Sequence, residues 1–169
     1  TPYWKNPDEL KDLVARVRAA APHKWLIAKV PGGDIPVEEI SVACQEGGAD
    51  AITSYSSLNG SCIDIRTGTY RCGGGGSGGF SGPAFKPVGI LMCRRAATAV
   101  DIPVIGIGGI SCAEDVIEYI MAGAYAVQVG SANLSRPDFM HRLLKDLEAL
   151  AGQMGISSLE EIRGTARIE

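Results

Sequence analysis

The reading turns on Ile105-Gly106-Ile107-Gly108-Gly109-Ile110-Ser111 and, one helix further along, Val127-Gln128-Val129-Gly130-Ser131-Ala132. Each begins as a short apolar run of the kind that forms a buried parallel strand and breaks into glycine just where that strand would end. Glycine lets a backbone approach an anion closely. Consecutive N–H groups leading into a helix supply donors and a favourable dipole. A single turn of this type needs its glycines only to bend tightly. Two of them in adjacent strand–helix units predict a phosphate cup made by the turns Gly106–Ser111 and Gly130–Ala132.

Outward from these turns the chain alternates regularly. Asn6-Pro7-Asp8-Glu9 is a helix start, with Leu10, Leu13, Val14 and Val17 at helical spacing up to about Ala21. Trp25 to Val30 reads as a strand, Val37 to Cys44 as a helix stopped by Gly47-Gly48, and Ala51 to Ser54 as a second strand. After a long segment come a helix from Lys86 to Val100, a strand Val104 to Ile107 and a helix Ala113 to Met121. A strand Ala126 to Val129, a helix Pro137 to Leu150 and a short helix Ser157 to Ile162, capped by Ser157, complete the chain. The joints Gly47-Gly48-Ala49-Asp50-Ala51-Ile52 and Ala122-Gly123-Ala124-Tyr125-Ala126-Val127 echo one another.

Four strand–helix units after an N-terminal helix imply an α/β fold with parallel neighbours and right-handed crossovers. A doubly wound open sheet fits the same alternation. The paired glycine turns near the C-terminus favour half of an eight-stranded (β/α)8 TIM barrel, which often binds phosphate in the loops after its last two strands. The 169 residues are expected to form one domain. Four strands alone leave edges and an inner face uncovered, so the remaining half is expected from another chain.

Composition narrows the function. The chain is 46% hydrophobic, enough for an ordinary core, with a net charge of −3 that argues against a nucleic-acid partner. No run is apolar enough to span a bilayer, and Thr1-Pro2-Tyr3-Trp4-Lys5 is unlike a signal peptide, so a cytoplasmic protein acting on small molecules is expected. Cys44, Cys62, Cys72, Cys93 and Cys112 lack metal-binding spacing and read as reduced thiols, and no metal site is expected. His23 and His141 read as surface or structural residues. Asp64, Asp101 and Asp115 read as turn or first-turn helix residues rather than acid–base catalysts.

Two further features bear on a site. Residues 55–83 are rich in glycine and serine and poor in apolar periodicity, which predicts a long active-site loop without elements of its own. Within it, Gly78-Gly79-Phe80-Ser81-Gly82-Pro83-Ala84-Phe85-Lys86-Pro87 is too ordered in composition for a linker and offers unobstructed backbone donors to a flat ligand. Lys29 ends an apolar strand. There it either faces an anionic or electron-rich ligand or snorkels to solvent, and the sequence alone leaves these equal.

Taken together, these segments resemble the C-terminal half of the dihydroorotate dehydrogenase family, in particular its FMN-dependent class 1 and the bacterial type with an iron–sulfur flavoprotein partner. The resemblance runs from about Lys29 to Gly164. It rests on the strand-end lysine, Leu58-Asn59-Gly60 with Ile63-Asp64, the segment Gly78 to Pro87, and both glycine turns. Ala122-Gly123-Ala124 and the closing Gly155-Ile156-Ser157-Ser158-Leu159-Glu160-Glu161 continue it.

The resemblance implies an FMN cofactor with its phosphate on Gly108, Gly109, Gly130 and Ser131. It places Gly78 and Gly79 by the flavin or its ribityl chain, and Lys29 facing the pyrimidine edge. Substrate contacts fall on Ser56 and Ser57, where the family carries an Asn-Thr pair. A serine hydroxyl lacks the paired donor and acceptor of an amide, which points away from dihydroorotate itself and towards another small dihydro or unsaturated compound. The family's catalytic base lies in the other half of the barrel, so no catalytic residue is assigned. The implied activity is hydride transfer within an oxidoreductase of pyrimidine-type chemistry acting on a CH–CH bond, with a companion chain and an iron–sulfur or flavin electron-transfer subunit as partners. Two alternatives stand beside it. One is a non-catalytic FMN- or phosphate-binding structural subunit. The other is a non-redox barrel enzyme on a phosphorylated metabolite.

Overall fold

A computed structural model of the chain describes residues 5–30, 35–55 and 57–168. Its centre is a four-stranded parallel sheet of β1 (Ile27–Lys29), β2 (Ala51–Thr53), β7 (Val104–Ile107) and β8 (Ala126–Gln128), in that order. Register runs Lys29 beside Thr53, Thr53 beside Ile105, and Ile107 beside Gln128. The order is sequential and has no switch point. Right-handed crossovers that always step in one direction put every connecting helix on the same side of the sheet. This removes the doubly wound alternative, whose helices would cover both faces.

The helices are α1 (Pro7–Ala20), α2 (Val37–Glu46), α3 (Lys86–Ala99), α4 (Ala113–Met121), α5 (Ser131–Ser135) and α6 (Phe139–Met154). Successive helices pack side by side, α1 on α2, α2 on α3, α3 on α4 and α4 on α6. Ala28, Ile52, Val104 and Val127 point from the strands into this layer and meet Ile40, Cys93, Val116, Tyr119 and Ile120. The opposite face carries Ile27, Lys29, Ile105, Ile107, Ala126 and Gln128. Ile27 is 46% exposed there, and Ala126 is also open to solvent. No helix among the described residues is long and apolar enough to cross a membrane.

The two echoing joints have one structural cause. In each, a glycine with positive φ (Gly48 +92°, Gly123 +112°) ends a helix. Ala49 N–H then reaches the Cys44 carbonyl, and Ala124 N–H reaches that of Tyr119, both at 3.0 Å. This is the Schellman turn, which releases the chain directly into the next strand. Beside the first joint, Arg18 pairs with Asp50 and donates to the Gly48 carbonyl at 2.9 Å, pinning α1 to the start of β2.

Three sequence expectations need correction. Residues 55–83 are not an unstructured loop. They contain β3 (Leu58–Gly60), β4 (Ile63–Asp64), β5 (Thr69–Tyr70) and β6 (Gly78–Phe80), with the β4–β5 hairpin nested inside the antiparallel β3–β6 pair. Strands this short carry too few residues for alternation to show. The expected helix Pro137–Leu150 is α6, displaced to Phe139–Met154 and preceded by the separate α5. The closing helix is a 3-10 turn at Leu159–Ile162 capped by Ser158, whose side chain accepts from Glu160 N–H, and not by Ser157. At the other end, Asn6 caps α1 by accepting from Asp8 N–H, as its spacing predicted.

Tyr119 is the packing centre of the sheet's carboxyl edge. It is fully buried, and a side chain on Gly106 would place its Cβ 2.4 Å from the tyrosine ring. Gly106→Ala is therefore expected to lower stability by about 1–3 kcal/mol through overpacking, read as a lower urea midpoint with an unchanged denaturant slope.

Candidate functional site

The carboxyl ends of β1, β7 and β8 open onto one cleft of about 400 Å³, within the range of small-molecule sites. Lys29, Ile107, Gly108, Gly109, Ile110, Gln128, Gly130 and Ser131 line its floor from the strand ends, and Ser57, Gly79 and Ser81 close it from the nested hairpins. The fold thus brings together Lys29, Ser57, Gly79, Gly108, Gly109, Gly130 and Ser131. Gly78 does not line the cleft and lies instead against Cys72. Ser56 falls outside the described residues. Ser81, Ile107, Ile110 and Gln128 join the site without having been singled out from the sequence.

The glycines divide by what surrounds them. Gly108 has φ +110°, and a Cβ there would sit 2.4 Å from the Phe85 ring. Gly109 has φ +73°, and its Cβ would meet the Lys86 backbone nitrogen at 2.5 Å. Both are required by the protein's own packing. At Gly130 φ is −110°, outside the left-handed region, and nothing lies within 4 Å of the missing Cβ. Internal packing gives no reason for glycine there. Its bare backbone faces only the cleft.

The helix-leading end of the first glycine turn is already occupied. The backbone N–H groups of Ser111 and Cys112 do not face a ligand. Both donate to Asp115 Oδ2, at 2.7 and 3.1 Å, and Ser111 Oγ joins them at 2.9 Å. The start of α4 is closed by its own capping carboxylate. Donors for an anion must come from Gly108 to Ile110 and from Gly130 and Ser131.

Behind the turn, Lys86 Nζ binds Asp115 Oδ1 at 2.6 Å and Glu118 at 2.8 Å. Burial by itself would raise the Asp115 carboxyl. Hydrogen bonds from Lys86, from the backbone and hydroxyl of Ser111, and from Cys112 outweigh it and hold the group below the ordinary aspartate range. Lys86 is pushed upward by the same two carboxylates. The Tyr119 hydroxyl lies 2.9 Å from the Ile107 carbonyl oxygen and 2.7 Å from that of Gly108. Buried and anchored there, its phenol is raised well above the usual value. These groups fix the glycine turn from below, and a single sequence carries no signal that pairs Lys86 with a carboxylate on another helix.

The hairpin wall hangs on aromatic rings. Tyr55 stacks on Phe85 at 6.3 Å between centroids, and Phe80 meets Phe85 edge-on at 6.4 Å. Tyr55 holds φ +40°, an uncommon conformation for a bulky residue, as the chain leaves β2 for the hairpins. Among the described lining residues Lys29 is the only charged side chain, and none of them carries a carboxylate. A cleft with one cation, bare backbone at its rim and several hydroxyls suits an anionic ligand.

The family model for dihydroorotate dehydrogenase matches residues 3–151. Among curated proteins, the chain is 39% identical over 166 residues to the catalytic subunit of dihydroorotate dehydrogenase B (NAD(+)) from Solidesulfovibrio magneticus, covering 98% of this chain and 54% of that protein. The subunit of the same name from Petrotoga mobilis is 40% identical over 153 residues, covering 90% of this chain and 50% of that one. The one from Bacillus cereus strain AH187 is 38% identical over 162 residues, covering 96% and 52%. The chain belongs to the dihydroorotate dehydrogenase family. It spans about half the length of the curated relatives it matches.

Replacing Asp115 with Asn leaves Lys86 without its buried partner and is expected to cost about 2–3 kcal/mol. The sign in pH follows from the depressed carboxyl. The stabilisation is fully present above the ordinary aspartate range and is lost as pH falls through the lower folded value. Denaturation midpoints followed into acid should therefore fall less steeply for Asp115→Asn than for the parent protein.

Proposed function

We propose that this chain is the FMN-binding, C-terminal half of a (β/α)8 barrel oxidoreductase of the dihydroorotate dehydrogenase type, and that polypeptide beyond these 169 residues completes the barrel. The observation that carries the reading is Gly130, a bare backbone position with no protein atom near its missing Cβ, on a cleft whose described lining carries Lys29 and no carboxylate. A phosphate on Gly108, Gly109, Gly130 and Ser131 accounts for both. Sequential strand order and a solvent-exposed, partly apolar second sheet face support the barrel, because further strands would bury Ile27 and Ala126.

The residues present fit FMN by the chemistry of their donors. Gly108 to Ile110 and Gly130-Ser131 offer backbone N–H groups and a hydroxyl to the phosphate, while Gly79, Ser81 and Gln128 offer small or amide groups along the cleft. When bound, FMN supplies hydride acceptance from a carbon–carbon bond being desaturated. Lys29 places a positive charge where reduction develops a negative one, and Ser57 stands at the mouth to orient a substrate. Ser56 is proposed beside it from the sequence alone. The catalytic base comes from the remainder of the barrel. Serines in place of an amide favour a small dihydro or unsaturated substrate other than dihydroorotate. The name "catalytic subunit" borne by the relatives supports a separate electron-transfer partner, which we assign as an iron–sulfur or flavin-bearing protein. We place the assembly in the cytoplasm.

Purified, assembled protein is expected to show flavin absorbance or to gain it on incubation with FMN. Absence of both ends the proposal. A non-catalytic FMN carrier remains the second reading, favoured by the serines at the substrate position. Lys29→Ala separates the two. The oxidoreductase should lose roughly tenfold in the rate of flavin reduction, the effect of about 1.4 kcal/mol at the barrier, and a carrier should lose nothing. Gly130→Ala should weaken FMN binding about tenfold or more while leaving stability within about 0.5 kcal/mol of the parent.

A further inference from the structure

Two of the five cysteines meet in a place the proposed function does not use. Cys62 ends the turn between β3 and β4, Cys72 follows β5, and their Sγ atoms lie 3.9 Å apart across ten residues of chain. Both are free thiols, Cys62 exposed and Cys72 partly so, whereas Cys44 and Cys93 are buried and pushed up to about 11 by desolvation. The β4–β5 ladder holds together the two strands that these cysteines flank, with Arg71 N–H donating to the Cys62 carbonyl at 2.9 Å. Cys72 Sγ also lies 3.9 Å from where a Cβ on Gly78 would stand, and Gly79 lines the cleft. Ser61 ties this stretch to Gly76 by a 2.6 Å hydrogen bond to its carbonyl.

We propose that Cys62 and Cys72 form a reversible disulfide that fixes the glycine arm 73–79 at the rim of the cleft and so tunes cofactor binding. Forming the bond brings sulfurs now 3.9 Å apart to the roughly 2.05 Å of an S–S bond. The oxidant is a low-molecular-weight disulfide. One protein thiolate attacks it and expels one small thiol, and the second protein thiolate then displaces the other, so two thiols and one disulfide exchange with no net change in electrons. Cys62 is held above its ordinary value chiefly by its hydrogen bond with Cys72, so exchange quickens as pH rises. The consequence for the cofactor rests on the FMN reading; the disulfide itself does not.

The test equilibrates the assembled protein in glutathione buffers of rising oxidised fraction, alkylates remaining thiols, and maps peptides by mass. A Cys62–Cys72 cross-linked peptide that disappears on reduction, with Cys44 and Cys93 unoxidised throughout, is the expected result. Alkylation of both Cys62 and Cys72 in the most oxidising buffer, or glutathione adducts without the cross-link, overturns the disulfide. FMN affinity is then titrated in both states. A change of about fivefold or more, absent in the Cys62→Ser and Cys72→Ser variants, supports the coupling, and equal affinities overturn it. If neither state binds FMN while the cross-link forms, the cofactor reading fails and the disulfide stands.

Discussion

The approach of the Gly108-Gly109 turn to Phe85-Lys86 is the contact on which the site depends. A methyl group at either glycine would collide with the Phe85 ring or the Lys86 backbone, so the end of β7 and the start of α3 can meet only through bare backbone. From that contact the remaining order follows. Lys86, delivered to this point, reaches Asp115, and Asp115 in turn satisfies the first N–H groups before α4. Tyr119, on the same helix, fills the space that Gly89 and Gly106 leave and holds the carbonyls of Ile107 and Gly108. The turn therefore owes its shape to α3 and α4 packed behind it.

This separates two uses of glycine that look alike in a sequence. Gly106, Gly108 and Gly109 serve the protein's own packing, and positive φ adds to the requirement at the last two. At Gly130 no protein atom lies within 4 Å of the missing Cβ. The phosphate reading gains its support from the second kind, because a packing explanation is available for the first. At the start of α4 the N–H groups of Ser111 and Cys112 are likewise taken up inside the protein, by Asp115.

The central sheet and its helices were legible because the signals were local. Asn6 and Pro7 announced α1, the double glycine after α2 announced a helix end, and apolar runs at β2 and β7 announced buried strands. The nested hairpins were not legible. Their strands are two or three residues long, Ile65 stands almost wholly exposed, and glycine fills the turns, so neither alternation nor burial marks them. Strand-end position placed Lys29 and the turn glycines at the carboxyl edge where the cleft opens. Asp115 was read as a first-turn helix residue and is one, but its pairing with Lys86 escaped, as did Phe85 and Tyr119, because these contacts join distant segments; Cys62 and Cys72 escaped because only the hairpin register brings them together.

The two walls of the cleft consequently differ in what holds them. The strand-end wall is set by a largely buried ion pair, a buried tyrosine and glycines that cannot be replaced without strain, features that resist local opening. The hairpin wall rests on short ladders and on Phe80, itself 43% exposed, leaning on Phe85. Gly73, Gly74 and Gly75 in its arm would meet no protein atom even with a side chain added. A ligand gripped by the first wall and covered by the second would find its phosphate end fixed and its far end adjustable. Under the proposed function, the fixed wall would hold the cofactor phosphate, and discrimination between substrates would fall to Ser57 and to residues from the rest of the barrel.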